Sequence, residues 1–237
     1  MAKRLRIGVI QYVNSIPLLY GMERLGDVVL DVPSGLARRF DAGELDVSFV
    51  PSVFYLSRLS KCHLVPGVSI SSRGPTTSVL LCARTPLEQV RSVVRSPDSM
   101  TSNFLAQVIL REAYRLEPAF LPHDHKGPAE AWLVIGDPAL QKQDATICVD
   151  LGTEWLRLTG LPVVYAVCVA NEPRLARAFA ALVCRQTERN LDQLETVLAS
   201  LGKSQWLDYL KGLDYGMTDD HVRSLERIAG FLAQPRR

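Results

Sequence analysis

A chain of 237 residues, 47% hydrophobic and 22% charged, has room for one large or two modest domains and enough apolar material for a proper core. Its 27 Lys and Arg against 25 Asp and Glu leave a net charge of +2, and aromatics at 7% are not clustered for base stacking, so nucleic acid is set aside as a partner. The odd set of Cys62, Cys82, Cys148, Cys168 and Cys184 has no C-x-x-C and falls largely in apolar runs, which reads as reduced, buried thiols of a cytoplasmic protein.

Lys3, Arg4 and Arg6 precede an apolar stretch, but Gln11, Asn14, Ser15 and Pro17 interrupt it, so the start of the chain reads as a first strand and not as a signal peptide. No apolar run reaches the roughly 18 residues of a membrane span. Ile7, Val9 and Ile10 make that strand β-branched and buried, and Asn14-Ser15 followed by Pro17 signals a helix start directly behind it. In open α/β sheets ligands sit outside the carboxyl ends of strands, where backbone N–H groups favour anions, so Asn14 is expected to face a small acidic molecule.

Further on, residues 28–32 predict a strand, with Ser34 capping an amphipathic helix that stops at Gly43. Residues 45–52 predict a strand ending in Pro51-Ser52 with a helix behind it, and residues 64–70 another strand. Ser71 through Pro75 then reads as a polar loop, a hairpin turn or a hinge, before the apolar strand 77–83. A second series begins with a strand at 90–94, a hydroxyl-rich turn at 96–102 and a helix at 103–114. Strands at 118–122 and 131–135 follow, the latter ending in Gly136-Asp137-Pro138 and a turn of helix. Residues 150–155 predict a loop entering a helix that stops at Gly160, 161–170 a last apolar strand, and everything from Pro173 onward helix.

Two βα series joined by the long apolar strands 77–83 and 161–170 predict an α/β protein of two lobes with a double crossover and a ligand cleft between them. The expected division is residues 1–82 with 170–237 in one lobe and 83–169 in the other. Asn14 and Ser15 either bind a carboxylate or cap the helix, and the two roles are compatible. Ser71 and Ser72 are either ligand hydroxyls at the lobe boundary or a solvated turn. Ser99, Thr101 and Ser102 at a helix start form the best anion nest in the chain, whereas Asp137 before Pro138 also fits a plain helix cap. Arg73 either pairs with an acidic ligand or is solvated. His123-x-His125 lacks a third ligand by spacing, so no metal is expected. The absence of G-x-G-x-x-G, P-loop and G-x-S-x-G motifs leaves no support for a nucleotide cofactor or a serine nucleophile. No cofactor is expected.

The segments Tyr12-Val13-Asn14-Ser15-Ile16-Pro17-Leu18, 43–47 with Val50-Pro51-Ser52, 66–75, 135–140, 150–155 and Thr159-Gly160-Leu161-Pro162 together resemble the chorismate dehydratase family of the futalosine route to menaquinone. The resemblance runs in order over almost the whole chain, and it implies a type II periplasmic-binding-protein fold used as an enzyme. The implied reaction removes water from chorismate to give 3-[(1-carboxyvinyl)oxy]benzoate. On that reading Asn14 is the catalytic residue, and Ser15, Ser71, Ser72, Thr101, Ser102 and Asp137 bind a dicarboxylate. Two alternatives stay open: a sister enzyme of the pathway that forms 1,4-dihydroxy-6-naphthoate, and a non-catalytic small-acid-binding protein. The first calls for a base such as His in the cleft and the second for a secretion signal or output domain, none of which the sequence offers. A homodimer is left open.

Overall fold

The computed structural model describes residues 4–141 and 143–234. Lys3 and the last three residues of the predicted helical tail lie outside them.

The first strand, β1 (Leu5–Ile10), runs into a single helical turn at Val13–Ser15 and the short helix α1 (Ile16–Leu19). β2 (Gly26–Asp31), α2 (Pro33–Asp41), β3 (Val47–Pro51), α3 (Ser52–Leu56) and β4 (His63–Ser72) follow in strand–helix alternation. The chain then crosses into a second unit of β5 (Val79–Ala83), β6 (Ser92–Val94), α4 (Met100–Tyr114), β7 (Ala119–Leu121), β8 (Ala131–Ile135), β9 (Ile147–Asp150) and α5 (Leu151–Thr159). It returns through β10 (Val163–Ala170) and ends in α6 (Pro173–Asp192), α7 (Leu194–Ser200), α8 (Leu207–Lys211) and α9 (Asp219–Leu232).

Two five-stranded mixed sheets result, in the orders β2-β1-β3-β10-β4 and β7-β6-β8-β5-β9. Every residue of β3 and of β10 is buried, as continuous apolar runs demand of central strands, and the expected two-lobed α/β architecture stands. β1 lies parallel to β2 and β3, whereas β10 enters between β3 and β4 antiparallel to both.

The sheets divide the chain elsewhere than at 82/83 and 169/170. Residues 79–83 pair with β8 and β9 in the second sheet, and residues 163–170 pair with β3 and β4 in the first. Neither apolar strand spans both lobes. The crossings are made by the short polar links at 73–78 and 160–162, where Gly74 (φ 112°) and Gly160 (φ 72°) turn the backbone.

Three local expectations also change. Ser34 does not cap α2, because Pro33 occupies the first turn and Val32 the cap position; the Ser34 hydroxyl donates to the Pro97 carbonyl at 2.8 Å across the lobes. Ser71 and Ser72 are the last residues of β4 and not a loop. The five cysteines are not all reduced: Cys82 and Cys148 are directly opposed on β5 and β9, with Cα atoms 4.2 Å apart, and form a disulfide, while Cys62, Cys168 and Cys184 are free. Among the described residues no helix is long and apolar enough to cross a membrane.

Candidate active site

The turn after β1 is built differently from the helix start its sequence suggests. Ser15 occupies the cap position of α1 without a side-chain cap bond, and α1 has only four residues, too few to sum a useful dipole. The buried Ser15 hydroxyl instead donates to Asn14 Oδ1 at 3.2 Å. Neither side chain is spent on capping. The Asn14 Nδ2 group donates to no partner among the described residues, and Asn14 lines a cavity between the lobes.

That cavity is narrow, with about 40 Å³ open to a water-sized sphere. Its polar wall is Tyr12, Asn14, Thr76, Ser78, Ser99, Ser102 and Tyr165, its apolar wall includes Ile10, Ile70, Ile135 and Leu213, and no Lys, Arg, His, Asp or Glu is among its lining residues. Hydrogen-bond donors there are neutral.

Ser99 and Ser102 come from the start of α4, a 15-residue helix whose cap is Ser99. The Ser102 N–H donates to Ser99 Oγ at 3.0 Å and the two hydroxyl oxygens lie 2.9 Å apart. Thr101, between them, points away: it is fully buried and its Oγ1 accepts the Val53 N–H at 3.3 Å, joining the lobes. One helix turn thus divides its hydroxyls between cavity and interface, following the roughly 100° step between successive residues.

Thr76 and Ser78 come from the first crossing. The Asp150 carboxylate accepts the Thr76 N–H at 2.9 Å and caps α5 by accepting the Thr153 N–H at 2.9 Å. The Thr76 hydroxyl lies 2.6 Å from the Tyr165 hydroxyl and 2.8 Å from that of Ser72. Ser72 also donates to the Gly74 carbonyl at 3.1 Å, so it braces Thr76 from behind the wall. Ser71 is farther back, fully buried, with its hydroxyl donated to the Asp214 carbonyl at 2.9 Å. Arg73 turns outward into an ion pair with Asp220.

Asp137 neither caps its turn nor lines the cavity. Its Oδ1 accepts the Val13 N–H at 2.8 Å, a bond from one lobe to the other. The Tyr12 hydroxyl donates to Asp98 Oδ2 at 2.8 Å, Ser34 N–H reaches the Asp98 carbonyl at 2.9 Å, and Tyr209 donates to Ser78 Oγ at 2.7 Å. Together these bonds hold the lobes closed over the cavity. Burial, with Asp98 beside it, pushes the Tyr12 phenol far above its usual pKa, and burial does the same to Tyr165 and Tyr209. All three are donors at neutral pH.

Of the residues singled out from sequence, Asn14 and Ser102 meet at the cavity, Ser15 and Ser72 support its walls, and Ser71, Thr101 and Asp137 serve structure around it. Tyr12, Thr76, Ser78 and Tyr165 went unnoticed as site residues. Tyr165 carried one signal, a polar tip inside the apolar run 163–170. Among the described residues no group of three His, Cys, Asp or Glu side chains is gathered as metal ligands.

A family model described as menaquinone biosynthesis matches residues 5–234. The chorismate dehydratase of Thermus thermophilus is 30% identical to this chain over 183 residues, which is 68% of each protein. Among solved structures, a structural-genomics protein of Archaeoglobus fulgidus superposes with a TM-score of 0.70 at 16% identity, covering 96% of each chain. The periplasmic aliphatic sulphonate binding protein of Escherichia coli superposes with a TM-score of 0.59 at 16% identity, covering 98% of this chain and 92% of that one. Those two likenesses speak for the fold, type II periplasmic-binding-protein-like with a cleft between lobes. The family match over nearly the whole chain, with a chorismate dehydratase among the relatives, settles the kinship: this protein belongs to the menaquinone-biosynthesis family.

Proposed function

We propose that this protein is a chorismate dehydratase, a carbon–oxygen lyase that converts chorismate to 3-[(1-carboxyvinyl)oxy]benzoate and water. The observation that carries the reading is the lining of the cleft between the lobes, whose polar wall is one free amide and a set of hydroxyls, without a side-chain base. A reaction needing a strong protein base would be badly served there. Dehydration of chorismate is well served, because the C3–H bond is acidified through the ring diene by the ring carboxylate.

Loss of the C3 proton sends charge onto that carboxylate, expulsion of the C4 hydroxyl restores an aromatic ring, and the hydroxyl leaves with a proton as water. The substrate's own enolpyruvyl carboxylate is the proton acceptor in this scheme. The protein's task is to orient the two carboxylates and stabilise the charge that develops. Ser99 and Ser102, at the start of α4, suit one carboxylate, and Thr76 with Ser78 suits the other. Asn14 Nδ2 is the donor left over for the reacting part of the ring. Ser71 and Thr101, proposed from sequence as carboxylate ligands, drop out of this scheme because their oxygens are engaged elsewhere.

The test is incubation of the purified protein with chorismate, followed by chromatography and mass detection of the aromatic ether. We expect stoichiometric product with wild type and a loss of roughly a hundredfold or more in kcat for Asn14→Ala, the scale for deleting one donor to a developing charge. Tight chorismate binding without product would favour a non-catalytic binding protein, and full turnover by Asn14→Ala would remove Asn14 from the chemistry.

A further inference from the structure

Asn14 sits on a locally weak support. Its turn is a single three-residue helical turn with no side-chain cap, followed by a four-residue helix. Pro17, three residues on, has no N–H to offer the Asn14 carbonyl, so the local pattern leaves that carbonyl without its natural partner. The donor comes from 201 residues away: Tyr215 OH donates to Asn14 O at 2.9 Å.

Tyr215 is held unusually firmly for a residue outside regular structure. The segment between α8 and α9 runs antiparallel along the edge of β4, with Ser71 N–H on Asp214 O at 2.9 Å, Asp214 N–H on Ser71 O at 2.8 Å and Ser69 N–H on Tyr215 O at 2.9 Å. The Ser69 and Ser71 hydroxyls donate to the Gly216 and Asp214 carbonyls at 2.5 and 2.9 Å. On its other side the Asp214 carboxylate accepts the Gly216 N–H at 2.9 Å and lies 3.1 Å from His221 Nε2. The Thr218 N–H donates to His221 Nδ1 at 3.1 Å, which leaves the ring proton on the buried Nε2, near the Asp214 carboxylate but without a hydrogen bond to it. Tyr215 itself is 2% exposed, and Leu213 from the same segment lines the cavity.

We infer that Tyr215 is a positioning residue for Asn14: its hydroxyl fixes the Asn14 peptide, and through it the side-chain amide, at the reacting part of the substrate. The inference rests on the chorismate dehydratase reading above for its kinetic consequence but not for its structural one. It also gives Ser69, Ser71, Asp214 and His221 a shared purpose, clamping the segment that carries Tyr215. Burial raises the Tyr215 phenol well above its usual pKa, so the oxygen remains a donor.

The experiment is Tyr215→Phe, which removes one oxygen and leaves the packed ring in place. Steady-state kinetics with chorismate should show kcat reduced tenfold to a hundredfold, the range for a modest misplacement of a reacting group, with KM changed by less than about threefold and the thermal midpoint essentially retained. Nuclear magnetic resonance of asparagine-labelled, substrate-free protein should show the Asn14 side-chain amide shifted while those of Asn103 and Asn171 stay in place. Wild-type kcat in the variant, an unmoved Asn14 resonance, or a kcat loss that merely follows a collapse of thermal stability would overturn the inference. If wild-type protein makes no product, the functional reading fails while the resonance experiment still decides the role of Tyr215.

Discussion

At Gly136 the backbone adopts φ 68° and ψ −150°, a region reserved in practice for glycine, at the point where β8 delivers the chain to the cleft. A Cβ there would lie 2.6 Å from the Tyr12 ring, so the close approach of the lobes also requires the missing side chain. Gly136→Ala therefore meets two penalties, backbone strain of about 1–3 kcal/mol and a clash that Tyr12 can relieve only by giving up its bond to Asp98. We expect a lower denaturant midpoint at unchanged slope and a weakened chorismate affinity. A variant as stable and as active as wild type would show that neither constraint operates. Sequence marked Gly136-Asp137-Pro138 as a helix start and so found the place without the reason. The clash depends on Tyr12, more than 120 residues earlier, and no local pattern reports a partner at that distance. Asn14 was readable because its Asn-Ser-x-Pro turn lies directly behind a strand, whereas the orientation of Thr101 away from the cavity depends on Val53 in the other lobe.

Elements were more legible than side-chain directions. β3, β8 and β10 announce themselves as apolar runs bounded by turn residues, and α4 and α6 by periodicity, because those signals are set by burial against a whole sheet. β9 was invisible: four residues long at a sheet edge, with Cys148 exposed, it lacks any pattern to separate it from a loop. Yet β9 ends in Asp150, whose carboxylate caps α5 and also accepts the N–H groups of Thr76 and Thr77 at 2.9 and 2.6 Å. One side chain thus fixes a helix start and the first lobe crossing together. Asp150→Ala is expected to cost about 2–3 kcal/mol, a lost cap plus an unpaired buried N–H at Thr76, measurable by urea unfolding. Asn at the same position, which keeps the acceptor oxygen, should recover more than half of that loss. Equal costs for Ala and Asn would mean that charge, and not geometry, is what the site requires.

On the scale of the molecule, closure joins phenols to the chemistry of the cleft. Tyr12 bonds Asp98 across the lobes, Tyr209 bonds Ser78, Tyr165 lies against Thr76, and Tyr215 holds Asn14. All four have folded-state pKa values raised above the ordinary phenol value of 10.0, burial being the leading cause in each. The linkage has a definite sign. The folded protein retains protons that the unfolded chain gives up near pH 10, so the stabilisation is fully present below that pH and is lost as pH rises through the folded values. Thermal midpoints should stay level up to about pH 9 and then fall steeply, with each phenol adding to the slope. Tyrosinate absorbance of these four should rise together with loss of the folded circular-dichroism signal, because these groups ionise only as the fold opens. Tyr12→Phe removes one of the bonds between the lobes, and with it one raised phenol, so its alkaline limb should be shallower than that of wild type even though its midpoint at neutral pH is lower. A smooth tyrosinate titration centred on pH 10 in protein that stays folded would show that these phenols are open to solvent and that closure does not bury them.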